Sequence, residues 1–339
     1  MLKYFDIINL HWIQTMLSNE AISYICGLGK PVIWTLHDMN PFTGGCHYSN
    51  GCCKYETDCA DCPQMIGGFS DYPERILRVK ERYWDNNIVI VSPSQWLADC
   101  ARRSKVFRNN RIKVIKNGVD TGIFRPTGKH QARSFLGLPT DKKILLFTCQ
   151  SHGERRKGFK ELLEIIKNLF ADGRNEYHVI MFGRASDELG ELPLPYTGLG
   201  HIDEEWKLAL GYSSADVTLL PTLEDNLPNV ILESVSCGTP VVAFDSGGVR
   251  DAVVNNVTGY LIDKGNCALF AEKIKMIVTQ DYSDACRSYA LQHFDLSVQA
   301  RKYCELIDNL TYSKKNSRFD FCNTVVASEM SDLFERLTN

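Results

Sequence analysis

Several features are missing from this 339-residue sequence, and each absence removes a class of protein. No apolar run approaches the roughly 18 residues that a membrane-spanning helix needs. The opening residues Met1-Leu2-Lys3-Tyr4-Phe5-Asp6 lack the basic-then-apolar layout of a secretion signal. A cytoplasmic location is therefore expected. There is no low-complexity tract and no short-period repeat. Net charge is only -3, so bulk electrostatics give no reason to expect a nucleic-acid partner. No Asp-x-Asp occurs anywhere, which removes the paired carboxylates that commonly hold a hard divalent cation. No glycine-rich turn follows the first apolar run at residues 7–10, where the sequence reads His11-Trp12-Ile13. A doubly wound domain usually begins with a strand and such a turn. The expectation is that the start of the first domain is missing.

What is present is the composition of a globular protein, 44% hydrophobic and 23% charged, long enough for two domains. Short apolar runs read as buried parallel strands at residues 7–10, 32–35, 88–91 and 112–115. A second set lies at 144–148, 178–182, 217–220, 240–244 and 259–262. Helical patterns separate them, for example 160–170, with Leu162, Leu163, Ile166 and Phe170 on one stripe, and 268–278. This alternation predicts an α/β protein of two doubly wound, Rossmann-like units facing a cleft. Asn117-Gly118-Val119-Asp120 and the polar residues 125–128 mark the hinge. The expected division is an incomplete first unit over 1–120 with a cysteine-rich insertion at 44–64, a second unit over 121–311, and a tail over 312–339 ending in a helix at 328–337.

The most informative stretch is Pro221-Thr222-Leu223-Glu224-Asp225-Asn226-Leu227-Pro228-Asn229-Val230-Ile231-Leu232-Glu233. A strand ends, a polar loop follows, and a helix runs from about Asn229 to Cys237. Asn226 and Asn229 stand where a helix cap is expected. The free amides at that helix start suit a diphosphate. Glu233, one turn inside the helix, can accept hydrogen bonds from the vicinal hydroxyls of a ribose in the same cleft. Asp225 is suited to the hydroxyls of a transferred sugar. Arg155-Arg156-Lys157-Gly158-Phe159 follows a strand and reads as a phosphate clamp or as a solvated basic turn.

On these residues the sequence resembles family 4 glycosyltransferases of the GT-B fold class. Asp225 and Glu233 match that family's glutamate-x7-glutamate spacing, with Asp in the first position and Glu224 beside it. Asn117-Gly118-Val119-Asp120, Ser246-Gly247-Gly248 and the Pro93-Ser94-x-Trp96 turn resemble further signatures. In many members an arginine lies five positions before the clamp lysine; here that position is His152, and Arg156 is the candidate substitute. The resemblance implies a UDP- or GDP-sugar donor held on the second domain by Lys157, Arg156, Asp225 and Glu233, with Gly158, Gly183, Asn226, Leu227, Asn229 and Val230 lining its site. It implies a retaining hexosyl transfer that needs no catalytic metal, with His37 on the acceptor side and Asp38 orienting it. The acceptor is expected to be a lipid-linked or growing saccharide, which brings peripheral contact with the inner face of a membrane. Two alternatives stay open: an inactive remnant that binds nucleotide or a partner, and a sugar epimerase of the same fold.

The string Thr43-Gly44-Gly45-Cys46-His47-Tyr48 begins a cluster of five of the 13 cysteines. Its spacing is Cys46-x5-Cys52-Cys53-x5-Cys59-x2-Cys62, similar to an insertion in a subgroup of bacterial polysaccharide transferases. Cys46, Cys52 (or Cys53), Cys59 and Cys62 form a plausible closed zinc knuckle, structural in role. Packed free thiols, or a pair oxidised on isolation, are the other readings. The eight remaining cysteines are scattered and read as reduced thiols.

Overall fold

A computed structural model of the protein describes residues 4–65, 69–148, 154–171, 173, 176–183 and 193–312. His152 and the expected helix at 328–337 lie outside the described residues.

The first domain holds strands β1 (Ile8–Leu10), β2 (Val32–Thr35), β3 (Val89–Ser92) and β4 (Ile112–Val114), with helices α1 (Asn19–Gly27), α2 (Tyr72–Tyr83) and α3 (Gln95–Arg103). The strands are parallel and lie in chain order, β1-β2-β3-β4. Strands β2 and β3 are buried along their whole length, which explains why they read as unbroken apolar runs rather than alternating ones. Trp34, Trp84 and Phe107 pack ring against ring on one face, and Phe42 and Tyr55 extend that cluster under the cysteine loop.

The second domain comprises α4 (Lys129–Phe135), β5 (Lys143–Thr148), α5 (Phe159–Phe170), β6 (Tyr177–Phe182), β7 (Tyr196–Gly198), α6 (Glu205–Ser214), β8 (Val217–Leu220), α7 (Asn229–Ser236), β9 (Val241–Phe244), β10 (Gly259–Ile262), α8 (Cys267–Ile277) and α9 (Ser283–His293). Its sheet runs β10-β9-β8-β5-β6-β7, all parallel. Chain order reverses between β5 and β8. At such a switch point the two flanking loops diverge above the carboxyl ends of the strands and leave a crevice for a ligand. The first sheet has no such reversal among the described residues.

Two details differ from expectation. Strand β7 has an exposed-intermediate-exposed pattern and carries no apolar run, so nothing in the sequence marked it. The buried stripe of α5 is Phe159, Leu162, Ile165, Ile166 and Leu169, while Leu163 and Phe170 are only partly covered. Helix α5 packs against α8, and its buried residues join the core of the second sheet.

The last helix, α10 (Leu296–Tyr312), returns to the first domain. Its Leu306 packs on Ile33, Val89, Val91 and Ile115, with Tyr303, Ile307 and Leu310 beside it. Tyr303 also shares a hydrogen bond with Thr35 at 2.9 Å. The hinge is stitched to the same crossing: Val119 N–H donates to the Phe294 carbonyl at 2.8 Å, and Leu296 N–H to the Val119 carbonyl at 3.2 Å. No helix among the described residues is long and apolar enough to cross a membrane.

Candidate donor-binding site

The loops at the switch point carry the clamp candidates. After β5, Arg155–Lys157 form one 3-10 turn, and Gly158 opens α5 with φ +75°. A Cβ at Gly158 would stand 1.8 Å from the Pro221 carbonyl oxygen, so only glycine lets this loop touch the one after β8. The contact is reinforced by Leu223 N–H and Thr222 Oγ1, which both donate to the Arg156 carbonyl, at 2.8 and 3.0 Å.

Asp225 sits at the centre. Lys157 Nζ and Arg156 Nη1 approach its Oδ2 at 2.8 and 2.9 Å, and Tyr48 Oη from the first domain donates to its Oδ1 at 3.1 Å. Its carboxylate is almost fully buried at 6% exposure. Burial pushes its pKa up, but Lys157 and Arg156 outweigh that and hold it below the usual carboxylate range. Arg156 is sandwiched: its guanidinium lies 4.1 Å from the Tyr48 ring centroid and also donates to the Glu224 carbonyl at 3.0 Å. Burial raises the Tyr48 phenol, and Asp225 raises it further, so it is protonated and donates.

Helix α7 begins at Asn229 with Pro228 as its N-cap, and no side chain caps it. The expectation that Asn226 or Asn229 caps the helix is therefore corrected. Asn226 faces the other domain instead: its Oδ1 accepts from Ser94 Oγ at 2.6 Å, and its Nδ2 donates to the His37 carbonyl at 3.1 Å. Asn229 is exposed and accepts from Asn117 Nδ2 at 3.2 Å. Ser94 caps α3 as well, accepting from Leu97 N–H at 3.1 Å. The Leu227 side chain is buried in the second-domain core and Val230 packs partly against it, which leaves their backbones as the groups a ligand can meet. Gly183 ends β6 and donates to the Gly200 carbonyl at 2.8 Å.

Glu233 accepts a hydrogen bond from the buried Tyr212 hydroxyl at 2.6 Å. Burial raises its pKa, the Tyr212 bond pulls it back, and Glu205 adds to the rise.

On the acceptor side, His37 follows β2 and its Nε2 lies 3.1 Å from His11 Nδ1. Asp38 does not orient it, contrary to expectation. That carboxylate is taken by His47 Nδ1 at 2.7 Å, Trp12 Nε1 at 3.3 Å and the Asn40 amide at 2.8 Å. His37 lines a small pocket of about 150 Å³ with Trp12, Lys80 and Trp84.

A far larger cavity of about 1130 Å³ opens between the domains, bounded by Tyr48, Trp96, Arg103, Arg155, Glu224 and Lys264, among others. Arg156 also lines it; His37, Lys157 and Glu233 do not. Tyr48, Asn50 and Tyr212 carry no signal as isolated residues in the sequence. Their roles come from contacts over 174 and 177 positions (Asn50 to Glu224, Tyr48 to Asp225) and 21 positions (Tyr212 to Glu233).

Residues 142–280 match the family model described as glycosyl transferases group 1. The chain is 33% identical over 199 residues to a D-inositol 3-phosphate glycosyltransferase 1 of Catenulispora acidiphila, covering 54% of this chain and 47% of that protein. It is 30% identical over 188 residues to a D-inositol 3-phosphate glycosyltransferase of Mycolicibacterium smegmatis, covering 53% and 43%. The chain thus spans about half the length of the curated relatives it matches. Among solved structures, a sucrose-phosphate synthase from Thermosynechococcus elongatus superposes with a TM-score of 0.68 at 20% identity, over 91% of this chain and 75% of that one. Anabaena Alr3699/HepE in complex with UDP-glucose gives 0.65 at 17% identity, over 91% and 79%. These likenesses show the fold: two Rossmann-like domains in the GT-B arrangement.

Proposed function

We propose that the protein, whose residues 142–280 match the glycosyl transferases group 1 model, transfers a hexose from a nucleotide sugar to a saccharide acceptor, with retention and without a catalytic metal. One observation carries this reading: Lys157 and Arg156 converge on Asp225 where the strand order reverses. Two cations on Asp225, four residues before a helix start that no side chain caps, fit a diphosphate better than any neutral ligand. When the donor binds, the diphosphate takes Lys157 from Asp225, and Asp225 turns to the hydroxyls of the sugar. Lys157 and Arg156 then stabilise the charge that grows on the leaving diphosphate, the part that a cation plays in metal-dependent transferases. Glu233 accepts the ribose hydroxyls. The leaving diphosphate assists deprotonation of the acceptor. UDP-hexose is the first donor to try, because the GT-B neighbour HepE was solved with UDP-glucose. The wide interdomain cavity suits an extended acceptor, lipid-linked or oligosaccharide.

The test is turnover of a panel of UDP- and GDP-hexoses with saccharide and lipid-linked acceptors. Nucleotide release that depends on acceptor supports transfer. Binding without turnover favours an inactive remnant, and isomerised free UDP-sugar favours an epimerase.

The ribose contact gives a pH prediction. Glu233 has a folded pKa above its ordinary 4.5. Its contribution to stability is therefore fully present below 4.5 and lost as pH rises through the folded value. Ribose binding needs the ionised form, so UDP affinity should fall as pH drops through that same raised value. Tyr212→Phe removes the bond that lowers it and should move this acid limb to higher pH. Calorimetry of UDP binding against pH, for both proteins, measures the displacement; the titration of UDP itself is common to both. An unmoved limb would remove Glu233 from the site.

A further inference from the structure

We propose that Cys46, Cys52, Cys59 and Cys62 bind one zinc ion as a tetrathiolate, and that this centre fixes the segment that carries Tyr48 and Asn50 across to the second domain. All four cysteines line a single cavity of about 340 Å³ beneath the loop, together with Lys54. Cys53 is not part of the group; it is exposed and its thiol turns to the Gly51 carbonyl at 3.8 Å. The ambiguity between Cys52 and Cys53 is thus resolved by the fold. Among the described residues no group of three or more His, Cys, Asp or Glu side chains forms a ready-made metal site, so zinc binding requires the four thiols to turn into the cavity they line.

Charge is the second observation. Lys54 lines the cavity, and Lys80 is buried against the turn at residues 40–43 that leads into it. Lys54 Nζ donates to the carbonyls of Ala60 and Asp61 at 2.9 and 2.7 Å, which holds the turn around Cys59 and Cys62. Lys80 is buried, and its ammonium donates to the carbonyls of Asn40 and Thr43, within electrostatic reach of Cys46 and Cys59. Asp38 is also in reach of Lys80, but its oxygens are already bound by His47, Trp12 and the Asn40 amide. A buried ammonium with only neutral acceptors in direct contact is costly. Four thiolates on a divalent ion leave a net charge of about −2, which two ammonium groups balance. Binding releases the four thiol protons to solvent and changes no oxidation state. Sulfur ligands alone select zinc over oxygen-loving magnesium or calcium, and a full set of four leaves no position for substrate.

The backbone fits a loop held from outside. Cys59 and Asp61 have φ of +59° and +47°, and Asn50 has +51°. Asn and Asp adopt that conformation readily, whereas a cysteine, as at Cys59, persists there only where its surroundings impose it. Between Cys46 and Cys52 run the residues that touch the second domain: Tyr48 Oη bonds Asp225, and Asn50 N–H donates to Glu224 Oε2 at 2.7 Å. Pinning both ends of this segment fixes that contact. Only this last step rests on the proposed donor site; the metal site stands without it.

The full chain, purified without added metal or chelator, should contain about one zinc per chain by mass spectrometry of the metal. Cys59→Ser and Cys46→Ser should lose it, and Cys53→Ser should keep it. Because a ligand variant can simply misfold, cobalt replacement in the unmodified protein supplies a second readout, the visible absorption of tetrahedral cobalt thiolate. Chelation should speed amide exchange at Asn50 at least tenfold. Zinc-free protein with four reactive thiols or with disulfides, or loss of zinc in Cys53→Ser, overturns the metal site. Unchanged exchange at Asn50 overturns its positioning role. The metal is read with no nucleotide present, so failure of the donor reading leaves this result intact.

Discussion

Lys157→Ala should lower kcat/KM for sugar transfer by about 10²–10³-fold, the usual loss when one preorganised donor to a developing anion is removed. The reason lies in the site's supply of charge. In the proposed reaction the leaving diphosphate is neutralised by Lys157, Arg156 and the start of α7. Arg156 is held by the Tyr48 ring, the Glu224 carbonyl and Glu154, so it cannot move to replace a lost lysine. Lys157→Arg should recover part of the rate, since the charge persists in a different geometry. Steady-state kinetics with the preferred donor, and UDP affinity by calorimetry, check this. A Lys157→Ala protein within about threefold of the parent would show that the diphosphate sits elsewhere.

Gly158→Ala should cost about 2–4 kcal/mol of stability and most of the activity. Two effects combine: φ of +75° disfavours any side chain, and the new Cβ would collide with the Pro221 carbonyl. Gly137 separates them. Its φ is +65° but a Cβ there meets nothing within 4 Å, so Gly137→Ala should cost only about 1 kcal/mol. Denaturant midpoints of the two variants measure the difference. Equal losses would mean that the two loops are not locked together. Because the same loop carries Arg156 and Lys157, Gly158→Ala should also weaken UDP binding, whereas Gly137→Ala should not.

Much of the fold was legible because parallel strands buried on both faces leave unbroken apolar runs, as at Val32–Thr35 and Val217–Leu220. Strand β7, at the sheet edge, leaves none. The second domain's basic turn and acidic loop were visible as strings, but their meeting was not, since it follows from the strand order. Nor was the partnering of Asp38, which depends on a turn that brings His47 back nine residues later. The helix has no polar cap because Asn226 has another use: it bridges Ser94 and His37, and proline before Asn229 starts the helix without a polar side chain. Local spacing shows what a residue can do; here the fold decides between candidate partners far apart in sequence.

A diphosphate should displace Asp225 from Lys157 at the switch point of the second sheet. A crystal structure of the protein with UDP tests it most directly. The expected result is phosphate oxygens on Lys157 Nζ and the first amides of α7, ribose hydroxyls on Glu233, and Asp225 released from the lysine. UDP bound elsewhere, or bound with the Lys157–Asp225 pair intact and the diphosphate out of reach of α7, would rule out this donor site.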